Sequence, residues 1–169
     1  ELDKILNMLA EEASLSDAAQ AAHALIPQTD INEVAKALKN TGDAYDFMSR
    51  YSAPSFGAAA NVSSSLRRAE ASAVLSIPEL LDIAETLRVI RSVKSWRADC
   101  SGMRETSIDP LFSALVPNKY LEEKITFAIK SEEELNDNAS PALYDIRRKI
   151  SSKSAKIRDS LDKLIKAIA

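Results

Sequence analysis

The chain has 169 residues, with 22 basic and 25 acidic side chains and a formal net charge of −3 at pH 7. That balance excludes the global basic field that carries tight nucleic-acid binding. Three glycines and 5% aromatic residues disfavour a β-rich domain, and the composition favours helix. The single cysteine excludes an internal disulfide and a cysteine-based zinc cluster.

Three helices are predicted in the first part of the chain. Residues 2–12 place a stripe of leucine and isoleucine on one helical face. A second helix is predicted over residues 17–26, where it ends before Pro27. Asp30 is predicted to cap a third helix, with Glu33 as its capping-box partner, and that helix ends near residue 52.

The middle of the chain combines a loop with a long helix. Residues 52–65 are rich in serine and alanine and are interpreted as a loop, with a short helix from Asn61 as the open alternative. The stretch 76–79, Ser-Ile-Pro-Glu, is a strong helix start, because it supplies an N-cap, a first-turn proline and a capping-box glutamate. The helix is predicted to reach residue 98, and a polar linker follows around Gly102.

The last part of the chain predicts two short helices and one long one. The short helices are expected over residues 109–115 and 118–131, and the acidic residues 132–138 then form a turn that could include a short strand. Residues 141–169 form the last helix, ~43 Å long at 1.5 Å per residue. Its apolar residues recur at spacings of three and four, which predicts packing on a partner helix; they are Leu143, Ile146, Ile150, Ile157, Leu161, Leu164, Ile165 and Ile168.

The residues that could carry chemistry are sparse. Gly42, Gly57 and Gly102 do not have the spacing of a Walker A loop or of a dinucleotide-binding loop. His23 and Cys100 are each the only residue of their type, so they are interpreted as structural. We therefore assign no catalytic, cofactor-binding or metal-binding residue in this chain, and no cofactor.

The remaining conspicuous residues also have structural interpretations. Carboxylate pairs such as Glu122 and Glu123 are predicted to lie on solvated faces. Large apolar side chains are predicted to fill gaps in the core; they are Trp96, Met8, Met48 and Met103.

The last helix carries a local charge asymmetry, with eight basic residues against three acidic ones. A basic helix can follow a phosphate backbone. It can equally pair with acidic neighbours such as residues 132–137. The basic residues lack interleaved aromatics, which disfavours stacking on single strands. The candidate nucleic-acid or partner contacts are Arg147, Arg148, Lys149, Lys153, Lys156 and Arg158.

Five stretches, taken together and in order, resemble the beginning of bacterial MutS-two proteins. The third stretch resembles the family pattern L-x-R-A-E-x-G-x-x-L-S, with Ala73 taken to stand at its glycine. The stretches are residues 2–6 (LDKIL), 26–30 (IPQTD), 66–76 (LRRAEASAVLS), 79–84 (ELLDIA) and 136–148 (NDNASPALYDIRR).

The resemblance implies a role within a larger protein. MutS-like proteins hold DNA in a dimeric ring, in which long lever helices connect a helical core to a clamp. The resemblance implies an ATPase domain that uses ATP and Mg, and a small nuclease domain, both downstream of this region. It also implies binding to DNA or to the ribosome and its RNA, in suppressing recombination or splitting collided ribosomes.

The expected fold is therefore all-α. Residues 1–139 are expected to form a helical MutS-like core, and residues 140–169 the outgoing lever helix before the clamp. The chain itself is expected to be non-catalytic, and its parent a homodimeric, cytoplasmic bacterial protein with no membrane partner. The alternative is a stand-alone helical module for protein interaction, for which amphipathic helices without an active site are the support.

Overall fold

The computed structural model describes residues 1–57, 59–102 and 105–168, and it confirms the all-α class. The elements follow one another in chain order. The helices in these residues are α1 (Leu2–Glu11), α2 (Ser16–His23), α3 (Ile31–Tyr51), α4 (Ser63–Glu70), α5 (Ile77–Asp99), α6 (Asp109–Ala114), α7 (Lys119–Ala128) and α8 (Pro141–Ile168). Between α7 and α8 lie the antiparallel strands β1 (Ile129–Ser131) and β2 (Glu134–Leu135) and a 3₁₀ turn, Asp137–Ala139.

The chain divides into two compact units, residues 1–123 and residues 124–169. The first unit contains α1 to α6 and the beginning of α7. The second contains the two strands, the 3₁₀ turn and α8. The functional division expected at residue 139, between a core and a lever, stays a prediction.

Several predicted boundaries are wrong by a few residues. The second helix ends at His23 rather than at residue 26. Pro27 disfavours the helical conformation at Ile26 only, so the earlier end was not predictable from the proline. Residues 63–65 belong to α4 instead of a loop, and the side chain of Asn61 accepts a hydrogen bond from Ser63 N, so the short-helix alternative is confirmed. Residues 103 and 104 of the predicted linker lie outside the described residues.

The predicted helix over residues 118–131 is also too long. It ends at Ala128, and Ile129–Ser131 forms β1, in which Ile129 faces Leu135 of β2. Asn136 N donates to Ala128 O at 2.9 Å and so completes the backbone pairing of this hairpin. The short strand expected within residues 132–138 is present as β2.

The two predicted N-cap residues, Asp30 and Ser76, are confirmed, and a capping box is shown at the second of them. Asp30 Oδ1 accepts hydrogen bonds from Asn32 N at 2.8 Å and Glu33 N at 3.1 Å at the start of α3. Ser76 and Glu79 form the reciprocal capping box at the start of α5. These hydrogen bonds from Ser76 hold the pKa of Glu79 below its usual value, and the guanidinium of Arg68 lowers it further.

Helix α4 ends in a Schellman motif. Ala73 N donates to Arg68 O, and Ser72 N donates to Ala69 O, both at 2.9 Å. Ser72 has a φ of 60°, the left-handed conformation that glycine adopts without steric cost. The assignment of the family's glycine to Ala73 is therefore wrong by one residue. Counting the pattern from Leu66 also places that glycine at Ser72.

A small aromatic core lies at the centre of the first unit. Phe47 of α3 and Cys100 at the end of α5 are each 1% exposed, and Ile108 beside α6 is 8% exposed. The ring centroid of Phe47 lies 5.7 Å from that of Trp96 and 6.2 Å from that of Phe112. These distances are typical of stabilising aromatic pairs, so the cluster joins α3, α5 and α6.

A charged network covers this aromatic core. The guanidinium carbon of Arg97 lies 4.8 Å from the ring centroid of Phe47, within cation–π range. Arg97 also pairs with Asp109 at 2.7 Å and lowers the pKa of that carboxyl. Asp43 of α3 accepts hydrogen bonds from the backbone and the hydroxyl of Ser107 at 2.6 and 2.7 Å, and these lower the pKa of Asp43. The segment before α6 is thereby fastened to both α3 and α5.

Glu122 departs from the prediction of solvated carboxylates. Its side chain is only 8% exposed and accepts two hydrogen bonds from Arg91, at 2.8 and 3.0 Å. These bonds hold the pKa of Glu122 below its usual value, so the carboxylate stays ionised where it is buried. Glu123, the next residue along α7, is exposed as predicted.

The methionines also depart from the prediction. Trp96 packs in the aromatic core, but Met8 is 66% exposed and Met48 is 55% exposed, whereas Met103 lies outside the described residues. The apolar faces of α1 and α3 are therefore only partly covered by other residues of this unit. Other large apolar side chains of this unit that are at least 46% exposed include Leu2, Ile5, Leu9, Ile31, Leu38 and Tyr45.

Replacing Phe47 by alanine is expected to destabilise the chain by about 3–5 kcal/mol, because a cavity would remain between three elements. Urea unfolding followed by far-UV circular dichroism measures this loss. The matched control is Met48→Ala, which is expected to change stability by less than ~0.5 kcal/mol, because Met48 is exposed. Equal effects of the two substitutions would contradict the placement of the core.

Replacing Ser72 by glycine is expected to stabilise the chain by about 0.5–1 kcal/mol, because the left-handed strain of a non-glycine residue is relieved. Thermal unfolding of the two proteins measures the difference. The control is Ala73→Gly, which lies outside the left-handed region and is expected to lower stability. A gain for Ala73→Gly and a loss for Ser72→Gly would reverse the assignment of the motif.

Candidate functional site

The candidate basic residues lie on α8, a helix of 28 residues that extends ~42 Å. Its first turn is capped by Ser140, whose Oγ accepts a hydrogen bond from Leu143 N at 3.2 Å. Arg147 anchors the helix one turn later. It donates to Leu135 O at 3.0 Å and pairs with the carboxylate of Asp137. The start of α8 is thus fixed to β2 and the 3₁₀ turn.

The structure brings together four of the six predicted contact residues. With Ser152, they line one shallow depression on the surface of α8. All four are exposed, and successive residues of an α-helix are rotated by ~100°, which places this group on one side within three turns. The four residues are Arg148, Lys149, Lys153 and Lys156.

The other two predicted residues lie elsewhere. Arg147 is occupied with Leu135 and Asp137, so the alternative of pairing with acidic neighbours holds for this residue. Arg158 follows Lys156 by two positions and is therefore rotated from it by ~160° around the helix. Neither residue contributes to the depression.

The four grouped residues offer cations and hydrogen-bond donors to an anion. The lysine ammonium is a compact charge and the arginine guanidinium a planar set of donors, and each phosphate they neutralise releases a counterion. Contact with nucleic acid through this surface would therefore be weak at high salt. The surface is also compatible with carboxylates of a protein partner.

Lys163 of this helix was counted among the basic residues but was not placed among the six candidates. Lys163 lies seven residues after Lys156, which itself lies seven residues after Lys149, and all three are exposed. The signal was the seven-residue spacing, which places side chains almost on the same side of a helix. A count of the basic residues that ignores their angular positions around the helix does not reveal this row.

Cys100, the single cysteine, lies in the aromatic core. Cys100 is buried and its thiol donates to Trp96 O at 3.2 Å, and burial raises the pKa of the thiol. Within residues 1–57, 59–102 and 105–168, no group of three histidine, cysteine or acidic side chains could hold a metal ion. None of the helices in the same ranges combines the length and the apolarity needed to cross a bilayer.

Replacing Arg147 by glutamine is expected to loosen the first turns of α8, because the ion pair with Asp137 and the bond to Leu135 O are both weakened. Amide hydrogen exchange of residues 137–146 is expected to be about threefold faster. The matched control is the adjacent Arg148→Gln, for which exchange in the same residues stays unchanged. Equal exchange in the two variants would contradict the anchoring role of Arg147.

The chain was compared with known proteins, and no family model matches it. It is 36% identical over 169 residues to endonuclease MutS2 of Acetivibrio thermocellus, covering 99% of this chain and 21% of the relative. Endonuclease MutS2 of Ruminiclostridium cellulolyticum is 37% identical over 168 residues, and that of Agathobacter rectalis is 34% identical over 166 residues. In both, the match covers 21% of the relative, and 99% and 98% of this chain, respectively. The chain thus spans about a fifth of the length of these relatives, and their similarity over its whole length supports a segment of the MutS2 family.

Proposed function

We propose that the chain is the non-catalytic core and lever region of a MutS2 protein. In this proposal residues 1–139 form the helical core and residues 140–169 the outgoing lever helix. Similarity to MutS2 proteins along the whole chain supports the family. The single observation that carries the lever assignment is α8, a continuous helix that is anchored at its first turns and exposed from residue 148 to residue 167.

The proposal is based on the two ends of α8: hydrogen bonds hold its start, and its far end is exposed. Ser140 and Arg147 fix the start of α8 to the hairpin. From residue 148 to residue 167 every side chain is exposed, so this unit does not restrain the far end. A helix held in this way transmits a rotation of its base over its full length, which is a common element of switching proteins.

The longer protein of this proposal supplies the chemistry. An ATPase domain that binds ATP and Mg, and a nuclease domain, lie outside this chain. The assembly is a homodimer in the bacterial cytoplasm that acts on mismatched or branched DNA, on ribosomes and their RNA, or on both. Its proposed roles are DNA repair by suppression of recombination and the splitting of collided ribosomes. The relatives' printed name, endonuclease, supports the nuclease component.

A second candidate function is a helical module for protein interaction. The observation that favours it is the amount of exposed apolar surface on α1, α3 and α8. Such surface on a folded chain is typical of protein contact sites. A gene in which the coding sequence is limited to these residues would favour this function over the first.

The proposal is tested by breaking α8 in the longer protein at Ser154, an exposed residue in the polar middle of the helix. Proline inside a helix removes a hydrogen bond and costs ~3 kcal/mol, so Ser154→Pro is expected to uncouple the two ends. The expected result is that ATP no longer changes binding to branched DNA or ribosomes, whereas ATP hydrolysis persists. The matched control Ser154→Ala retains the coupling. ATP-dependent binding that is unaffected by Ser154→Pro would contradict the proposal.

A further inference from the structure

One side of α3 is apolar and exposed along the length of the helix. Its large side chains recur every seven residues: Ile31, Leu38 and Tyr45 are 79%, 69% and 71% exposed. Phe47, which packs in the aromatic core, lies ~180° around the helix from Leu38. Two opposite sides of α3 are therefore apolar, and the aromatic core uses the side that carries Phe47.

Small residues alternate with the large ones on the exposed side. Ala35, Gly42 and Ser49 each follow a large residue by four positions, so they lie ~40° from it around the helix, and all three are exposed. A methyl group placed on Gly42 would meet no neighbouring atom within 4 Å. Glycine weakens a helix interior, and the described part of the chain gives no steric reason for it here. A backbone that approaches closely from outside supplies one. We call the six residues the α3 face: Ile31, Ala35, Leu38, Gly42, Tyr45 and Ser49.

Opposite charges flank the α3 face on one side. Lys39 and Asp46 lie ~100° and ~80° from Leu38 in the same sense around the helix, and both are exposed. Within α3 each has an oppositely charged residue four positions later, Asp43 and Arg50, and exposed pairs of this kind are weak. The opposite flank is uncharged and consists of Val34, Thr41 and Met48.

An antiparallel pair of two α3 faces satisfies both patterns. About a two-fold axis near Gly42, the small residues of one copy lie against the large residues of the other. Gly42 then fits between Leu38 and Tyr45 of the second copy, so the backbones approach and the space between them is filled. Lys39 of each copy faces Asp46 of the other, because antiparallel helices bring equivalent flanks together. One two-fold contact thus forms two ion pairs.

A parallel pair satisfies neither pattern. It places Gly42 against Gly42 and Tyr45 against Tyr45, which leaves gaps at the small residues and crowding at the large ones. Parallel helices also bring the charged flank of one copy to the uncharged flank of the other, so Lys39 and Asp46 would have no partner across the contact. The side chains therefore favour the antiparallel arrangement.

Helix α1 extends the apolar surface beyond the uncharged flank. Leu2 and Leu6 of α1 share a groove with Leu38 and Thr41 of α3, and Ile5 is 61% exposed. A continuous exposed apolar surface is typical of protein contact sites. The charged flank holds one lysine and one aspartate, so it offers no net positive charge to a nucleic acid or to an anionic membrane.

We propose that the α3 face pairs with the same face of a second copy of this chain, antiparallel about a two-fold axis near Gly42. The inference goes beyond the proposed function and does not rest on it, because the contact is made by the first unit alone. Apolar burial stabilises the pair, and the contacts of Lys39 with Asp46 determine its orientation.

The test uses the complete chain of 169 residues. Sedimentation equilibrium between ~5 and ~500 μM is expected to show a reversible monomer–dimer equilibrium with a Kd of ~10–100 μM, as expected for contact between two exposed helix faces. A two-fold contact is closed, so association stops at the dimer. A monomer over the whole range, or growth into larger assemblies, would overturn the proposal.

A charge exchange tests the orientation. K39D and D46K are each expected to raise the Kd by about 5–10-fold, whereas the double variant K39D with D46K restores it to within ~3-fold of the original value, because the ion pairs form again with their charges exchanged. The matched control is K36D, which changes the net charge as K39D does but lies ~160° from Leu38, so a change below ~2-fold is expected. A double variant that is no better than the single ones contradicts the antiparallel pairing.

A substitution at Gly42 separates the contact from the stability of the chain. G42L is expected to abolish the dimer, whereas the Tm of the dilute monomer rises by about 2–4 °C, because leucine favours the helix and the position is open. The control Lys36→Leu leaves the Kd unchanged. An unrelated amphipathic leucine peptide is titrated in parallel. If G42L dimerises as the original chain does, or if the monomeric chain binds only that peptide, the α3 face does not pair with itself and the proposal is wrong.

Discussion

The first unit depends on the packing of Phe47 against Trp96 and Phe112. This contact brings together helices that are distant in sequence, and Arg97 covers it while pairing with Asp109. The cluster is small: among the described residues, the largest side chains that are fully buried are those of Phe47 and Cys100. Because so few side chains are fully buried, the ion pairs and capping hydrogen bonds around them take a larger share in fixing the helices.

The second unit is stabilised by a different kind of interaction. Helix α8 is determined by local interactions at its start and by intrinsic helix propensity beyond it. An isolated helix gains little from propensity alone, and most helical stability in proteins comes from packing of an apolar face. An exposed seam of isoleucine and leucine on a helix of this length is therefore a surface that a partner would stabilise. The core-and-lever proposal starts from this property.

Much of this fold could be predicted from the sequence, because its strongest signals are local. Asp30 and Ser76 mark helix starts by side-chain chemistry that acts within three residues, and the structure places both as predicted. The predictions of burial failed where burial depends on contacts between distant residues. The burial of Glu122 requires Arg91 across α5 and α7, and the exposure of Met48 depends on what packs beside it. Four of the six candidate basic residues line one depression on α8, and Arg147 pairs with Asp137; their role as contact residues stays a prediction.

Amide hydrogen exchange, measured on this chain alone and on the longer protein of the proposal, tests the central claim most directly. Equal protection around Phe47, Trp96 and Phe112 is expected in both proteins, because that core is complete within the first unit. The account predicts that residues 148–167 of α8 gain protection only in the longer protein, where a partner covers the seam. Equal protection of α8 in both proteins, or loss of protection around Phe47 in the chain alone, would contradict the account.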